Sequence, residues 1–509
     1  MGGGYGGNLL LTGCKIYTGV EEPRSARGLA VEGGVIVRVG SELEARQAAP
    51  RDATVLSLPG GWAFPGLNDA HIHLAQLPDD LQLTNIESVG ELLSRLEHVA
   101  SHTDRQWIVG RGWDQEKLRE GRPPRRDELD RVCPDRPVLL YRVCGHVGVA
   151  NSRALEHLDP SGLDPQLVDV ESGLLREEAL RRLAKGIPAP PRDELVAQLE
   201  ANCRRAAESG LTMVQVILST HWRSELDAFK ELAESSRLKL RAALWFPAED
   251  APAAREALSG DHNGMLRFGG AKIFLDGSLG ARTAALFEEY TDQPGWSGIL
   301  NLDDEGLMRT LEGLIARGIR PAMHAIGDRA VEQALRVIGR LSPSLRRPRL
   351  EHASLTSPAQ IRRMRELDVC PVVQPHFAVS DRWAPSRLGP RIQHLYRFKD
   401  MIEAGLRPAG SSDAPVEPLQ PLTGIWAAVT NPISTPLSPA EALELYTGGS
   451  AWAAMEEARL GRLKEGMLGD IVVFADNILA VDPSRIRELE ILTTVVNGEI
   501  AARPQWLSF

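Results

Sequence analysis

Two histidines two residues apart, in Phe64-Pro65-Gly66-Leu67-Asn68-Asp69-Ala70-His71-Ile72-His73, are the first group in this chain able to do chemistry. In an extended strand, residues i and i+2 project from the same face, so His71 and His73 point the same way if this segment is a strand. Paired imidazoles suit zinc or another borderline divalent ion. The spacing alone also fits a chance surface pair, so the reading depends on what else the fold brings beside it.

The elements that would position such a pair follow from the pattern of apolar residues. Helical stretches alternate with short apolar runs through most of the chain, the pattern of a parallel α/β domain. A helix starts at Asp303-Asp304-Glu305, whose carboxylates suit a helix N-terminus, carries Leu307, Leu311 and Leu314, and stops at Gly318 before the run Ile319 to His324. Another runs from Asp193 to Gly210 and feeds Leu211 to Val216, and Ser438-Pro439-Ala440-Glu441 reads as a capping box with proline in the first turn. The expected strands are 62–73, 211–217, 239–246, 268–275, 319–324, 349–353, 370–374 and 406–411. Eight βα units predict a (β/α)8 barrel, with its active site at the C-terminal ends of the strands. The first gap is too long for one helix, so residues 76–195 are expected to hold an insertion with strands at Trp107 to Gly110 and Pro137 to Tyr141.

Both chain ends read differently. Leu9-Leu10-Leu11, Gly28 to Val31 and Val35 to Val39, with a hairpin turn at Glu32-Gly33-Gly34, are short strands, as are Gly469 to Phe474 and Ile491 to Val496 before the turn pair Asn497-Gly498. The two β-rich ends are able to pair as one small domain.

The barrel supplies a test of the histidine pair, because further ligands should stand where later strands end. His324 ends the fifth strand, His352 the sixth, and Asp413 in Gly410-Ser411-Ser412-Asp413-Ala414-Pro415 the eighth, while the fourth carries Lys272. Singly, each histidine reads as a core residue, and Asp413 also reads as a cap for the next helix. Their shared position at consecutive strand ends argues for a common site.

Composition narrows the function classes. A formal charge of -10 over 509 residues and a pI near 5.7 argue against a nucleic-acid binder, which shows a basic face. The glycine-rich start, Met1 to Gly7, lacks the basic and apolar regions of an export signal, and no apolar run reaches the roughly 18 to 20 residues that cross a bilayer. The expectation is a soluble cytoplasmic protein with a small-molecule substrate and no membrane or nucleic-acid partner; a homodimer is compatible with it. Cys14, Cys133, Cys144, Cys203 and Cys370 contain no Cys-x-x-Cys pair, so a metal would be held by nitrogen and oxygen.

Phe-Pro-Gly-Leu-x-Asp-x-His-x-His, the single histidines after strands five and six, and the aspartate after strand eight resemble the metal-dependent amidohydrolase superfamily. More narrowly, Lys272 to Gly280 with Ala281-Arg282-Thr283-Ala284, His324 to Arg329, Glu351-His352-Ala353 and Ser411 to Val416 resemble its YtcJ-like (amidohydrolase 3) group, which includes N-substituted formamide deformylases. The resemblance spans nearly the whole chain. It implies a distorted barrel over residues 61–458, with a small β-sandwich made by 1–60 and 459–509. It implies one or two divalent ions, zinc foremost: His71, His73 and Asp413 on one, His324 and His352 on a second, and Lys272 as a carboxylated bridge. The alternative for Lys272 is an ion pair with Asp276 or another acid.

The implied activity is hydrolysis of an amide, formamide or cyclic amide C–N bond by metal-activated water, with Asp413 as general base and then acid. Deamination and ester or lactone hydrolysis stay open on the same site, as does a non-catalytic scaffold on a hydrolase-like barrel. Trp113, His146, Asp276, Arg282 and His376 are candidates for touching substrate, each with an ordinary loop or ion-pair role as its alternative. Gln215 ends strand two where relatives often carry histidine or aspartate, a departure that bears on substrate.

Overall fold

The computed structural model describes residues 6–19, 26–76, 81–260, 262, 264–341 and 344–503; most of the glycine-rich start lies outside them. Glycine decides how the chain enters the barrel. At residue 66 a Cβ would stand 2.3 Å from the Thr212 side chain, so only glycine lets the backbone pass there. The expected single strand 62–73 is therefore two strands in two sheets, Trp62–Pro65 and Leu67–Ile72, split at that crossing.

From Leu67–Ile72 the chain builds an eight-stranded parallel sheet through Leu211–Ile217, Arg241–Pro247, Leu266–Phe274, Pro321–Ala325, Arg349–His352, Cys370–Val373 and Ala409–Gly410. Helices such as Arg192–Glu208, Trp222–Glu234, Asp304–Ile315 and Asp328–Leu341 return between strands. Apolar residues of strands and helices form one large core, with smaller clusters of strand residues such as Ile217, Trp245 and Ala322 beside it. The last strand has only two residues in the ladder, where six were expected. Beyond it, single hydrogen bonds join the ends of the sheet: Asp413 N–H donates to His71 O (2.9 Å) and His73 N–H to Ala414 O (2.8 Å). These bonds set the first and last strands' functional residues side by side.

The chain ends do pair. Trp62–Pro65 lies antiparallel to Ile471–Phe474, within an eight-stranded sheet that also holds Leu9–Ile16, Ala26–Glu32, Val35–Gly40, Thr54–Ser57, Ile491–Val496 and Glu499–Ala502. The expected turns at Gly33-Gly34 and Asn497-Gly498 both have positive φ at each central residue, the two-residue hairpin geometry that matches strand twist. All eight strands share one hydrogen-bonded network around a separate apolar core. Leu9–Ile16 pairs in parallel with Thr54–Ser57 along its first half and with Trp62–Pro65 at its end, which lets the sheet fold over that core.

The insertion forms its own six-stranded sheet, including Ile108–Trp113, Val138–Arg142, Val147–Ala150 and Leu174–Arg176, followed by the helix Glu177–Lys185.

Candidate active site

At the C-terminal ends of the barrel strands, five imidazoles lie in a row. Ring centroids are 5.4 Å apart for His73 and His71, 5.0 Å for His71 and His352, 4.4 Å for His352 and His324, and 4.7 Å for His324 and His146. Asp413 Oδ1 lies 3.2 Å from His73 Nε2 and 3.4 Å from His71 Nε2. Lys272 Nζ is 3.4 Å from His71 Nε2 and faces that ring rather than Asp276. The six residues expected to form a metal site are thus brought together, and all line one cavity of ≈ 1170 Å³.

Local backbone geometry makes this convergence happen. His352 and Asp413 have φ of 71° and 57°, in the left-handed region that non-glycine residues rarely occupy. Strict alternation along Arg349–His352 would send His352 to the same side as Leu350, away from Arg349 and Glu351. The left-handed turn at the strand end brings its ring to the cluster instead.

A polar layer beneath the cluster orients it. His71 Nδ1 bonds Glu351, which turns Nε2 toward Asp413 and Lys272. Glu351 is held by Arg349 (2.7 and 2.8 Å), and Arg349 also donates to Gln215 (2.5 Å) and Ala70 O (2.6 Å). His352 Nδ1 meets Gln374 Oε1 at 2.8 Å. His324 Nε2 donates to Gly277 O (3.0 Å), leaving Nδ1 for the site.

Burial sets the protonation states. It pushes His71 down to about 4, with Lys272 adding to the effect, and His352 down to about 3, while His324 falls well below its ordinary value. All three are neutral at pH 7 and carry the lone pair a metal needs. Lys272 is lowered to about 8, chiefly by burial. Burial works to raise Asp413, but His73, His71 and His352 outweigh it and hold the carboxyl below the usual range. Ligand atoms of His71, His73 and Asp413 lie within 4.8 Å of one another, and buried His73 Nδ1 and Asp413 Oδ1 have no aligned hydrogen-bond partner. Neutral imidazoles around an unsatisfied carboxylate fit a divalent ion.

The expected substrate contacts divide. His146 lines the cavity beside His324, with Nδ1 3.0 Å from Glu177. The other four stand outside the cavity lining. Trp113 is fully buried in the insertion core, its indole N–H donating to Leu140 O (2.8 Å). Asp276 turns both oxygens to backbone N–H groups of Ala285, Ile326 and Gly327 (2.8 to 3.0 Å) and braces loops around His324. Arg282 pairs with Asp292 (2.8 Å), and His376 pairs with Glu417. Gln215 is buried in the polar layer, bonded to Arg349 and Ser450 O, and does not reach the cavity.

Sequence reasoning missed Glu351, Gln374 and Glu177. A signal for the first existed: Arg349 and Glu351 place opposite charges two residues apart on one face of a buried strand, which is stable only when they pair. Glu177 has φ of 46° and an oxygen with no hydrogen-bond partner, features that no sequence pattern announces.

Fold and cluster together define a barrel hydrolase. The chain belongs to the amidohydrolase family, whose model, Amidohydro_3, matches residues 54–502. It is 34% identical to YtcJ of Bacillus subtilis (strain 168), which is named as an amidohydrolase, over 95% of this chain and 97% of that one. It is 27% identical to an N-substituted formamide deformylase of Arthrobacter pascens, covering 96% of this chain and 97% of the relative. Among solved structures, an uncharacterized metal-dependent hydrolase from Pyrococcus horikoshii OT3 superposes with a TM-score of 0.77 at 29% identity, over 94% of this chain and 99% of that one. No helix among the described residues is long and apolar enough to cross a membrane.

Proposed function

We propose that this chain hydrolyses a carbon–nitrogen bond of a small amide, formamide or cyclic amide, with Asp413 as the proton-transfer group of a divalent-metal site. The observation that carries this reading is the buried carboxylate of Asp413, with Oδ1 unsatisfied and 3.2 to 3.4 Å from two imidazole nitrogens. The likeness to a formamide deformylase supports the bond class.

His71, His73 and Asp413 would hold one ion, and His324, His352 and Lys272 would complete it or hold a second. Imidazole and carboxylate donors favour zinc. Bound there, the metal supplies an acidified water and polarises the scissile carbonyl. Asp413 takes the proton of the attacking water and returns one to the leaving nitrogen. Glu351 and Gln374 keep the His71 and His352 rings turned so that Nε2 faces the site. Lys272, lowered to about 8, has a neutral fraction near pH 7 that can add carbon dioxide and lose a proton, becoming a carbamate. His146, beside His324 in the wall, is proposed to contact the substrate carbonyl or leaving group.

The test is metal analysis of the active protein, joined to an assay for amine, ammonia and acid release across formamides, amides, cyclic amides and esters. The expected result is a stoichiometric divalent ion, amine release from at least one formamide or amide, loss on chelation and recovery with zinc. Full turnover by protein without a divalent ion would sink the reading; exclusive cleavage of esters or lactones would move it to that bond class.

A further inference from the structure

The cavity changes character with distance from the histidines. Part of its wall is apolar, with Ile217, Leu218, Ile273 and Phe274. Phe274 acts as a spacer: its ring centroid is 5.5 Å from that of His324, 4.8 Å from Lys272 Nζ and 5.5 Å from the Arg181 guanidinium. Arg181 therefore stands one aromatic ring from the candidate metal cluster. Arg111 flanks the same region, stacked on Tyr141 at 4.6 Å, with Nη1 3.3 Å from where a Cβ on Gly145 would stand, next to His146.

Farther out, Arg182, Lys185, Arg309 and Arg317 also line the cavity. Side-chain exposure rises from 33% at Arg181 to 57% at Lys185 and 71% at Arg309, which marks the outer rim. The glutamates lining the cavity are Glu177, paired with His146, Glu225, bonded to Ser219 N–H, Glu178, bonded to Arg181 and Arg182, and Glu249, 3.6 Å from Lys185, while Glu305 lies 3.8 Å from Arg309. Cations outnumber acids here in a chain whose formal net charge is -10. A cleft lined by one sign of charge raises the local concentration of oppositely charged ligands. Arg181 uses Nε and Nη2 on Glu178, and a guanidinium has five N–H donors, so donors remain for a ligand.

We infer that the preferred substrate is an anionic amide, carrying a carboxylate one apolar spacer away from the scissile bond. Arg111 and Arg181 bind the carboxylate, the apolar wall around Phe274 holds the spacer, and the outer cations steer entry. This rests on the hydrolase reading proposed above and adds the substrate class to it.

Formanilide and 4-formamidobenzoate make a matched pair, since a single ring separates formamide from carboxylate in the second. With the zinc-loaded full chain, kcat/KM for 4-formamidobenzoate is expected to exceed that for formanilide by about tenfold or more, the scale of a hydrogen bond to a charged group. The preference should shrink as salt is raised. In Arg181→Gln and in Arg111→Gln, the ratio should fall toward one. A ratio at or below one in the native protein, or a preference that survives both substitutions, overturns the inference. Calorimetric titration with benzoate separates the two readings when neither formamide is cleaved. Benzoate binding that weakens in Arg181→Gln then upholds the anion subsite while the bond class fails; no benzoate binding overturns the subsite itself.

Discussion

The barrel side and the insertion side of the cavity are built on different physical terms. On the barrel side, short-reach groups stand at the ends of parallel strands, nearly all buried, and the layer of Glu351, Arg349 and Gln215 beneath them leaves little freedom. On the insertion side, Arg111 and Arg181 are long side chains held by ring stacking and partial pairing. Rigid strand ends suit groups that must hold reacting atoms within a fraction of an ångström, whereas an appended wall is able to vary without disturbing them. On the function proposed above, the difference would put the proton transfer on the barrel side and the carboxylate contacts of Arg111 and Arg181 on the insertion side.

The strongest challenge to that division is Asp413→Asn, which keeps the shape of the side chain and removes its basicity. Turnover should fall about 10²- to 10⁴-fold, the range for a general acid–base group, with the circular-dichroism spectrum unchanged. Activity near that of the native protein would move the chemistry away from the barrel end.

Glu351→Ala probes whether the buried layer is what makes the barrel side rigid. Glu351 is 0% exposed and pairs with both Arg349 and His71, so truncation strands a buried guanidinium, costing about 3–5 kcal/mol. Metal affinity should fall as well, by about 10- to 100-fold. Thermal melting and a competitive chelator titration read the two effects, and an unchanged melting point would show that the layer does not brace the site.

The smallest expected effect sharpens the insertion side. Trp113→Phe keeps an aromatic side chain but replaces the indole with a phenyl ring and leaves Leu140 O without its indole donor, for a loss of about 1–3 kcal/mol. The melting temperature should drop while KM holds. A raised KM with an unchanged melting point would return Trp113 to the substrate wall.

The barrel was legible because each strand is a short apolar run followed by a helix with readable ends, and the ligand candidates stand at predictable places in that repeat. Asp303 and Ser438 cap helices as their sequence contexts predict. The division of 62–73 was not legible, because it depends on Thr212 standing where a side chain at position 66 would go. The surroundings of four of the five substrate candidates were not legible for a related reason. Trp113, Asp276, Arg282 and His376 lie near the site in sequence pattern, but each is engaged by a partner that only folding supplies: Leu140 O, three backbone amides, Asp292 and Glu417.

The amino-acid sequence by itself determined the order of the barrel strands and the residue types at their ends, because hydrophobic periodicity and ligand chemistry are both local properties. The tertiary structure alone decided which atoms face the site. Left-handed backbone at His352 and Asp413, the grip of Glu351 on His71, and the placing of Arg181 one ring from the cluster all arise between segments far apart in the chain. Side-chain direction and protonation depend on neighbours and burial, and these exist only once the barrel and the insertion have closed around one cavity.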